Sequence, residues 1–236
     1  APAIAAKRLK VLTPQTLGAT IVLEELLQTY DAVLLAIGVW KEASLDQPLT
    51  GVMSGLDFLE AAKNGTLTPV PERVAILAGG DSAMDAAKVA QTLGAQEIFI
   101  LFGGPRSEMH WHMPESWFAS LGVHAMMEWQ PLGYSSDAAG RVISVQIRHT
   151  HLGVQSSLAI DFVIEAMGLS VDEKSLGKTT PDSLVQNLKF CRTERERLYV
   201  AGGMVNGGAS VGACIADGLA AAEAIHHDLM SGIFKK

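Results

Sequence analysis

The chain has 236 residues, 48% of them hydrophobic and 18% charged, with 25 Asp+Glu against 18 Lys+Arg and a formal net charge of -7. That composition is too apolar for a disordered protein and shows no collagen-like period. The acidic balance, without a block of like charges, gives no electrostatic footprint for nucleic acid or an anionic membrane.

The two cysteines, Cys191 and Cys214, form neither a CxxC nor a disulfide framework. Two buried thiols in a reducing cytoplasm are expected. The longest apolar run, Ala32 to Trp40, is nine residues, against the roughly 20 that cross a bilayer. The start, residues 1 to 11, carries its cations after its apolar residues, the reverse of a secretory signal.

In chain order, TIVLEELLQTY (20–30) predicts a short amphipathic helix, and DAVLLAIG (31–38) predicts a strand apolar on both faces. Such a strand suits the middle of a parallel sheet covered by helices. Residues 41–72, broken by Pro48, Gly51, Pro69 and Pro71, read as a connector holding one helix over 55–65. After Pro71, RVAILAGG is a strand ending in glycines, DSAMDAAKVAQTLGA a helix closed by Gly94, and EIFILF (97–102) a buried strand. Strand, glycine turn, helix and strand within about 30 residues make a βαβ unit with a right-handed crossover. Beyond it, MPESWFASLG predicts a helix, and HAMMEWQPLGY, RVISVQIRHT and SSLAIDFVIEAMG predict strands. Val142, Ser144 and Gln146 alternate with Ile143, Val145 and Ile147, as in a half-exposed antiparallel hairpin or meander. Residues 169–197 are irregular, LYVAGG (198–203) is a short buried strand, and SVGACIADGLAAAEAIHHDLM (210–230) is a long Ala-rich helix.

Four apolar strands end in glycine, at Gly38, Gly80, Gly168 and Gly203. In open α/β sheets ligands sit beyond the carboxyl ends of strands, so these glycines are expected to border nucleotide sites. The sharpest signal is Ala78-Gly79-Gly80-Asp81-Ser82-Ala83, which follows a strand and opens a helix. It matches the dinucleotide fingerprint GxGxxG/A except that Ala78 stands at the first glycine. Gly80 would let the backbone approach a diphosphate, Ala83 would allow close helix packing, and the helix N-terminus would favour the negative charge. An ordinary strand-helix turn, with Asp81 or Ser82 as N-cap, is the competing reading. Ala83, Ala86, Ala87, Ala90 and Leu93 fall on one helical face. Where an acid would mark NAD or a basic cluster NADP, the chain has Phe102-Gly103-Gly104-Pro105-Arg106. Arg106 is the nearby cation, a 2'-phosphate ligand or a solvated loop arginine, and the choice of coenzyme stays open.

VAILAGGDSAMDAAKVAQTLGAQEIFILF followed by GPRSEM resembles the NAD(P)H-binding insertion of the glutamate synthase small-subunit family of flavoproteins. TIVLEELLQTYDAVLLAIG, DFVIEAMG and LYVAGGMVNGGASVGACIADGLAAAEAI resemble the FAD-domain segments of that family, in the same order. The resemblance implies an α/β fold in which a Rossmann-like NAD(P)-binding domain (71–168) is inserted into a partial FAD-binding domain (1–70 and 169–236). It implies hydride transfer from NAD(P)H to FAD, with electrons leaving through an iron-sulfur or other partner. It also places Gly38, Gly168, Gly203, Met204, Ser210 and Val211 beside Ala78 to Ala83 and Arg106 as cofactor-binding residues. The family's first GxGxxG and its iron-sulfur cysteines are not among these residues, so a missing FAD-domain half or partner subunit is expected. Gly202-Gly203-Met204 replaces the family's Gly-Gly-Asp, and methionine cannot accept the same hydrogen bond. Gly103-Gly104 replaces its arginine pair.

No catalytic side chain is assigned, since hydride chemistry belongs to the cofactors. His110-Trp111-His112 and His149-Thr150-His151 are HxH pairs without the further ligands of a metal site. Met109, Met113, Met126 and Met127 read as adaptable packing. Two alternatives remain. One is a non-catalytic scaffold or nucleotide-binding subunit that keeps the fold but has lost a cofactor, and the other is a one-cofactor dehydrogenase, for which no proton donor is evident.

Overall fold

A computed structural model describes residues 9–67, 69–78, 80–109, 122–177, 179–185 and 191–233. Helix α1 (Leu23–Thr29) leads into strand β1 (Val33–Leu35), followed by β2 (Lys41–Glu42) and β3 (Val52–Ser54). Next come α2 (Gly55–Lys63), β4 (Arg73–Ala78), α3 (Asp81–Thr92) and β5 (Glu97–Phe102), then a 3-10 turn at Arg106–Glu108. Strands β6 (Val123–Met127), β7 (Trp129–Ser136), β8 (Val142–His149), β9 (Gln155–Ala159) and β10 (Phe162–Ala166) complete the middle of the chain. The final elements are β11 (Leu169–Ser170), α4 (Pro181–Val185), β12 (Leu198–Val200), α5 (Gly203–Asn206) and α6 (Val211–Ser231). The helix expected over 113–122 falls almost wholly outside the described residues.

The chain divides into two compact units, Glu42–Gly168 and a discontinuous one of Ala1–Lys41 with Leu169–Lys236. In the Glu42–Gly168 unit five parallel strands lie in the order β3-β10-β4-β5-β6. Strand alternation sends Val74 and Ile76 to one face and Ala75 and Leu77 to the other, all fully buried. The first face packs on α2 and α3 through Phe58, Ala83, Ala86, Ala87 and Ala90, where small side chains let α3 lie close to the strands. The second is covered by the antiparallel sheet β7-β8-β9 through Val142, Val145, Ile147 and Ile160. The expected connector therefore forms part of this unit, with β3 at the sheet edge and α2 on its helical face. Asp161 and Arg73, just ahead of β10 and at the start of β4, form a two-pronged ion pair at 2.9 and 2.8 Å. The guanidinium holds the Asp161 carboxyl below the usual carboxylate range.

The meander departs from simple alternation at one place. A register shift sets Ser135 opposite Ser144 but Ser136 opposite Val142, so Ile143 is an extra residue. The bulge turns Ile143 outward, 46% exposed, while Val142 and Val145 both face the core.

In the discontinuous unit β1 pairs in parallel with β12 alone among the described strands. Leu23 and Leu27 of α1 pack with Val33, Leu35, Leu198, Val200 and Met204. Leu34 is 38% exposed, so the strand expected to be buried on both faces has one covered face among the described residues. Its apolar sequence reports a capacity for burial, and the second layer decides whether that capacity is used. Both cysteines, expected to be buried, are partly exposed. Burial and the charge of Asp217 raise the Cys191 thiol above its ordinary value.

Candidate functional site

The βαβ element β4-α3-β5 presents the strand ends at which a ligand can lie. Gly80 is the N-cap of α3, in extended backbone with φ -166, and Asp81 and Ser82 are already helical. The competing N-cap assignment to Asp81 or Ser82 is thus corrected: the turn completes before either residue. A Cβ built on Gly80 would meet no atom of the described residues within 4 Å, so among them nothing fills the position a side chain would take at the start of α3. Ala83, fully buried, seats that turn against the sheet. Ala78 ends β4 opposite Ala166 of β10, and Gly79 lies outside the described residues. Gly168 follows β10 with φ +116 and equally open space at its Cβ position. It is exposed, and its carbonyl accepts from the Ala43 N–H at 3.0 Å.

The turn after β5 carries Arg106, exposed and in the 3-10 turn. Two charged groups that linear reading passed over stand near the same turn. The Oε2 atom of Glu108 lies 2.8 Å from the Cβ position of Gly104. Gln130, 3.8 Å from the Cβ position of Gly103, accepts at Oε1 from Arg148 Nη2 at 3.2 Å. Arg148 is 42 residues from Arg106 in sequence, so no local spacing signals it; the cross-strand pairing of β7 and β8 could have.

In the discontinuous unit three glycines meet. The Cβ position of Gly203 is 3.3 Å from Gly38 Cα and 3.6 Å from Gly208 Cα, so a side chain there would press closely on the Gly38 backbone. Gly38 also borders a cavity of about 380 Å³ lined by Gln15, Thr16, Leu17, Ile37, Trp40, Asp172 and Ser175. Ser210 caps α6, its Oγ accepting from the Ala213 N–H at 3.1 Å, and Val211 beside it is 78% exposed. Met204 is 6% exposed within the apolar cluster around Leu23 and Val200.

Two buried carboxylates were not singled out by the sequence. Glu165 of β10 accepts from Tyr134 Oη at 2.6 Å, Ser44 Oγ at 2.7 Å and the Leu45 N–H at 2.9 Å. It lines a cavity of about 430 Å³ together with Ser44, Gln47 and Met53. Asp228 of α6 accepts two bonds from Arg192, at 2.7 and 2.8 Å, and one from Tyr199 Oη at 2.7 Å. Those donors, Arg192 first, hold the Asp228 carboxyl far below its usual range despite its burial. Both clusters are saturated with donors and act as ties between distant segments.

His149 and His151 face one carboxylate, Glu128, at 3.6 and 3.3 Å, and His110 and His112 lie outside the described residues. Among the described residues no group of three His, Cys, Asp or Glu side chains is arranged to hold a metal ion. Met109 is buried in the core, with Met126 and Met127 packed against apolar clusters.

The family model described as pyridine nucleotide-disulphide oxidoreductase matches residues 5–218. The chain belongs to this family. It is 29% identical over 242 residues to the glutamate synthase [NADPH] small chain of Azospirillum brasilense, covering 86% of this chain and 50% of that protein. It is also 29% identical over 222 residues to the NAD-dependent dihydropyrimidine dehydrogenase subunit PreT of Escherichia coli O157:H7, with 90% and 51% covered. The chain therefore spans about half the length of these relatives. The crystal structure of T. acidophilum thioredoxin reductase superposes with a TM-score of 0.63 at 18% identity, over 84% of this chain and 66% of that one. The fold is thus the α/β arrangement of the two-dinucleotide-binding flavoproteins. Among the described residues no helix is long and apolar enough to cross a membrane.

Proposed function

We propose that the Glu42–Gly168 unit binds a nicotinamide dinucleotide across the carboxyl ends of β4 and β5, its diphosphate over the first turn of α3. The observation that carries this reading is the open space at Gly80, in front of a helix of 12 residues whose dipole favours an anion there. In this reading Ala78 to Ala83 form the diphosphate turn, Arg106 stands on the adenosine side and Gly168 borders the crevice. Gly38, Gly203, Ser210 and Val211 of the other unit belong to part of an FAD cradle, with Gly203 leaving little room for a side chain beside Gly38 and Gly208.

The whole protein is then an NAD(P)H-dependent flavoprotein oxidoreductase. When bound, the two cofactors supply the hydride chemistry; the chain binds, orients and excludes water. Relatives named as a small chain or a subunit support a multi-chain setting. An iron-sulfur acceptor fits that setting in the cytoplasm. Calorimetric titration of the chain with ADP-ribose and NADH tests the reading. Saturable binding that Gly80→Val abolishes is expected, and no heat with either ligand overturns it.

A second reading, a scaffold subunit that keeps the fold without flavin, is favoured by Met204. This residue stands where the family resemblance implies a carboxylate, and its side chain is packed in the core. A complete protein that purifies without the flavin absorption band and ignores both nucleotides would decide for it.

A further inference from the structure

We propose that Arg148, held in place by Gln130, is a specificity-determining cation for the 2'-phosphate of an NADPH-type coenzyme. The proposal rests on the reading of the Glu42–Gly168 unit as a nucleotide-binding unit. In a βαβ dinucleotide site the adenosine 2' substituent is read at the carboxyl end of the second strand, by an acid for the hydroxyl or an arginine for the phosphate. Here that end is Phe102-Gly103, about 20 residues beyond Gly80, and Gly103 has no side chain to contribute.

The neighbouring meander supplies one. A side chain on Gly103 would run toward Gln130, 3.8 Å from its Cβ and 4.0 Å from its Cα. Gln130 pairs across the β7-β8 ladder with Arg148 and accepts the guanidinium hydrogen bond at 3.2 Å. The amide is neutral, so it orients Arg148 without cancelling its charge. Among the described residues no carboxylate forms an ion pair with Arg148. Glu128 is turned to His149 and His151, and Glu108 lies against Gly104. A guanidinium presents a fork of donors that matches a phosphate in two-pronged geometry. Gly103 puts no side chain between the end of β5 and Gln130, whereas the Cβ position of Gly104 is already taken by the Glu108 carboxylate and the Phe102 ring.

The test compares 2'-phospho-ADP-ribose with ADP-ribose by calorimetry on the whole chain. Arg148→Ala is expected to weaken the phosphorylated ligand by about tenfold, the lower end for a charged hydrogen bond at an exposed site. Binding of ADP-ribose should stay within about twofold. Gln130→Ala is expected to weaken the phosphorylated ligand less, and Arg148→Lys to restore part of the discrimination, because lysine keeps the charge without the fork. Arg141→Ala removes the same net charge seven residues away, about 23 Å along the strand at roughly 3.3 Å per residue. That exceeds the screening length of about 8 Å at physiological salt, so this variant should behave like the parent. If both ligands bind and Arg148→Ala alters them equally or not at all, the role of Arg148 is overturned while the nucleotide site stands. If neither ligand binds the parent chain, both readings fall.

Discussion

The Tyr134 hydroxyl donates a 2.6 Å hydrogen bond to the buried carboxylate of Glu165, joining the meander to the central parallel sheet. Burial first, and the carboxylate second, keep the phenol protonated far above its ordinary range. Tyr134→Phe leaves the ring in place and removes one of the donors to a buried charge. Urea unfolding should show a loss of about 1.5–3 kcal/mol, the range for a hydrogen bond to a charged group.

Gly80→Ala separates stability from binding. The extended φ of -166 suits any residue, and the Cβ would meet no atom of the described residues within 4 Å. The melting temperature should therefore hardly change, because surface substitutions of this kind fall within about 0.5 kcal/mol. The methyl group would occupy the space proposed for the diphosphate, so ADP-ribose affinity measured by calorimetry should fall by more than about tenfold, or 1.4 kcal/mol.

Asp228 ties α6 to β12 through Tyr199 and to the preceding loop through Arg192. Its folded pKa is depressed. Its stabilising contribution is therefore complete above the unfolded value near 3.9 and is lost as pH falls below that toward the folded value. Asp228→Asn should cost about 1.5–3 kcal/mol at neutral pH, the range for a hydrogen bond to a charged group, by leaving the Arg192 cation without its counter-charge. The gap between parent and variant should narrow in unfolding curves taken progressively below pH 4.

Met204→Asp would restore the carboxylate that the family resemblance implies, but it would place that group among Leu23, Val33 and Val200. Denaturant titration should show a loss of at least about 2 kcal/mol, since a buried polar group without a partner is penalised by that order. Unchanged stability would mean that the side chain at this position escapes the core.

The β4-α3-β5 unit could be read from sequence because each element there obeys its own period. VAILA is apolar on both faces, and the alanines of α3 recur on one side of the helix. The same logic failed at Leu34, where an apolar strand has one covered face, and at Ile143, where a bulge reversed the alternation. The tie from Ser44 to Glu165 spans 121 residues, and the Arg192–Asp228 pair spans 36. A carboxylate inside FVIEA looks like a defect in a strand until its donors are brought to it by the fold. Of the candidate site, the glycine turn was legible locally, whereas Arg148 and Glu108 entered only through the packing around Gly103 and Gly104.

The chain leaves the discontinuous unit at Lys41 and returns to it at Leu169. On one side of that passage Ser170 Oγ donates to the Lys41 carbonyl at 3.3 Å; on the other the Ala43 N–H donates to the Gly168 carbonyl at 3.0 Å. Each module thus has its two cut ends already stitched together. A cassette with such ends can be lifted out, resealed or exchanged with little rethreading of its host.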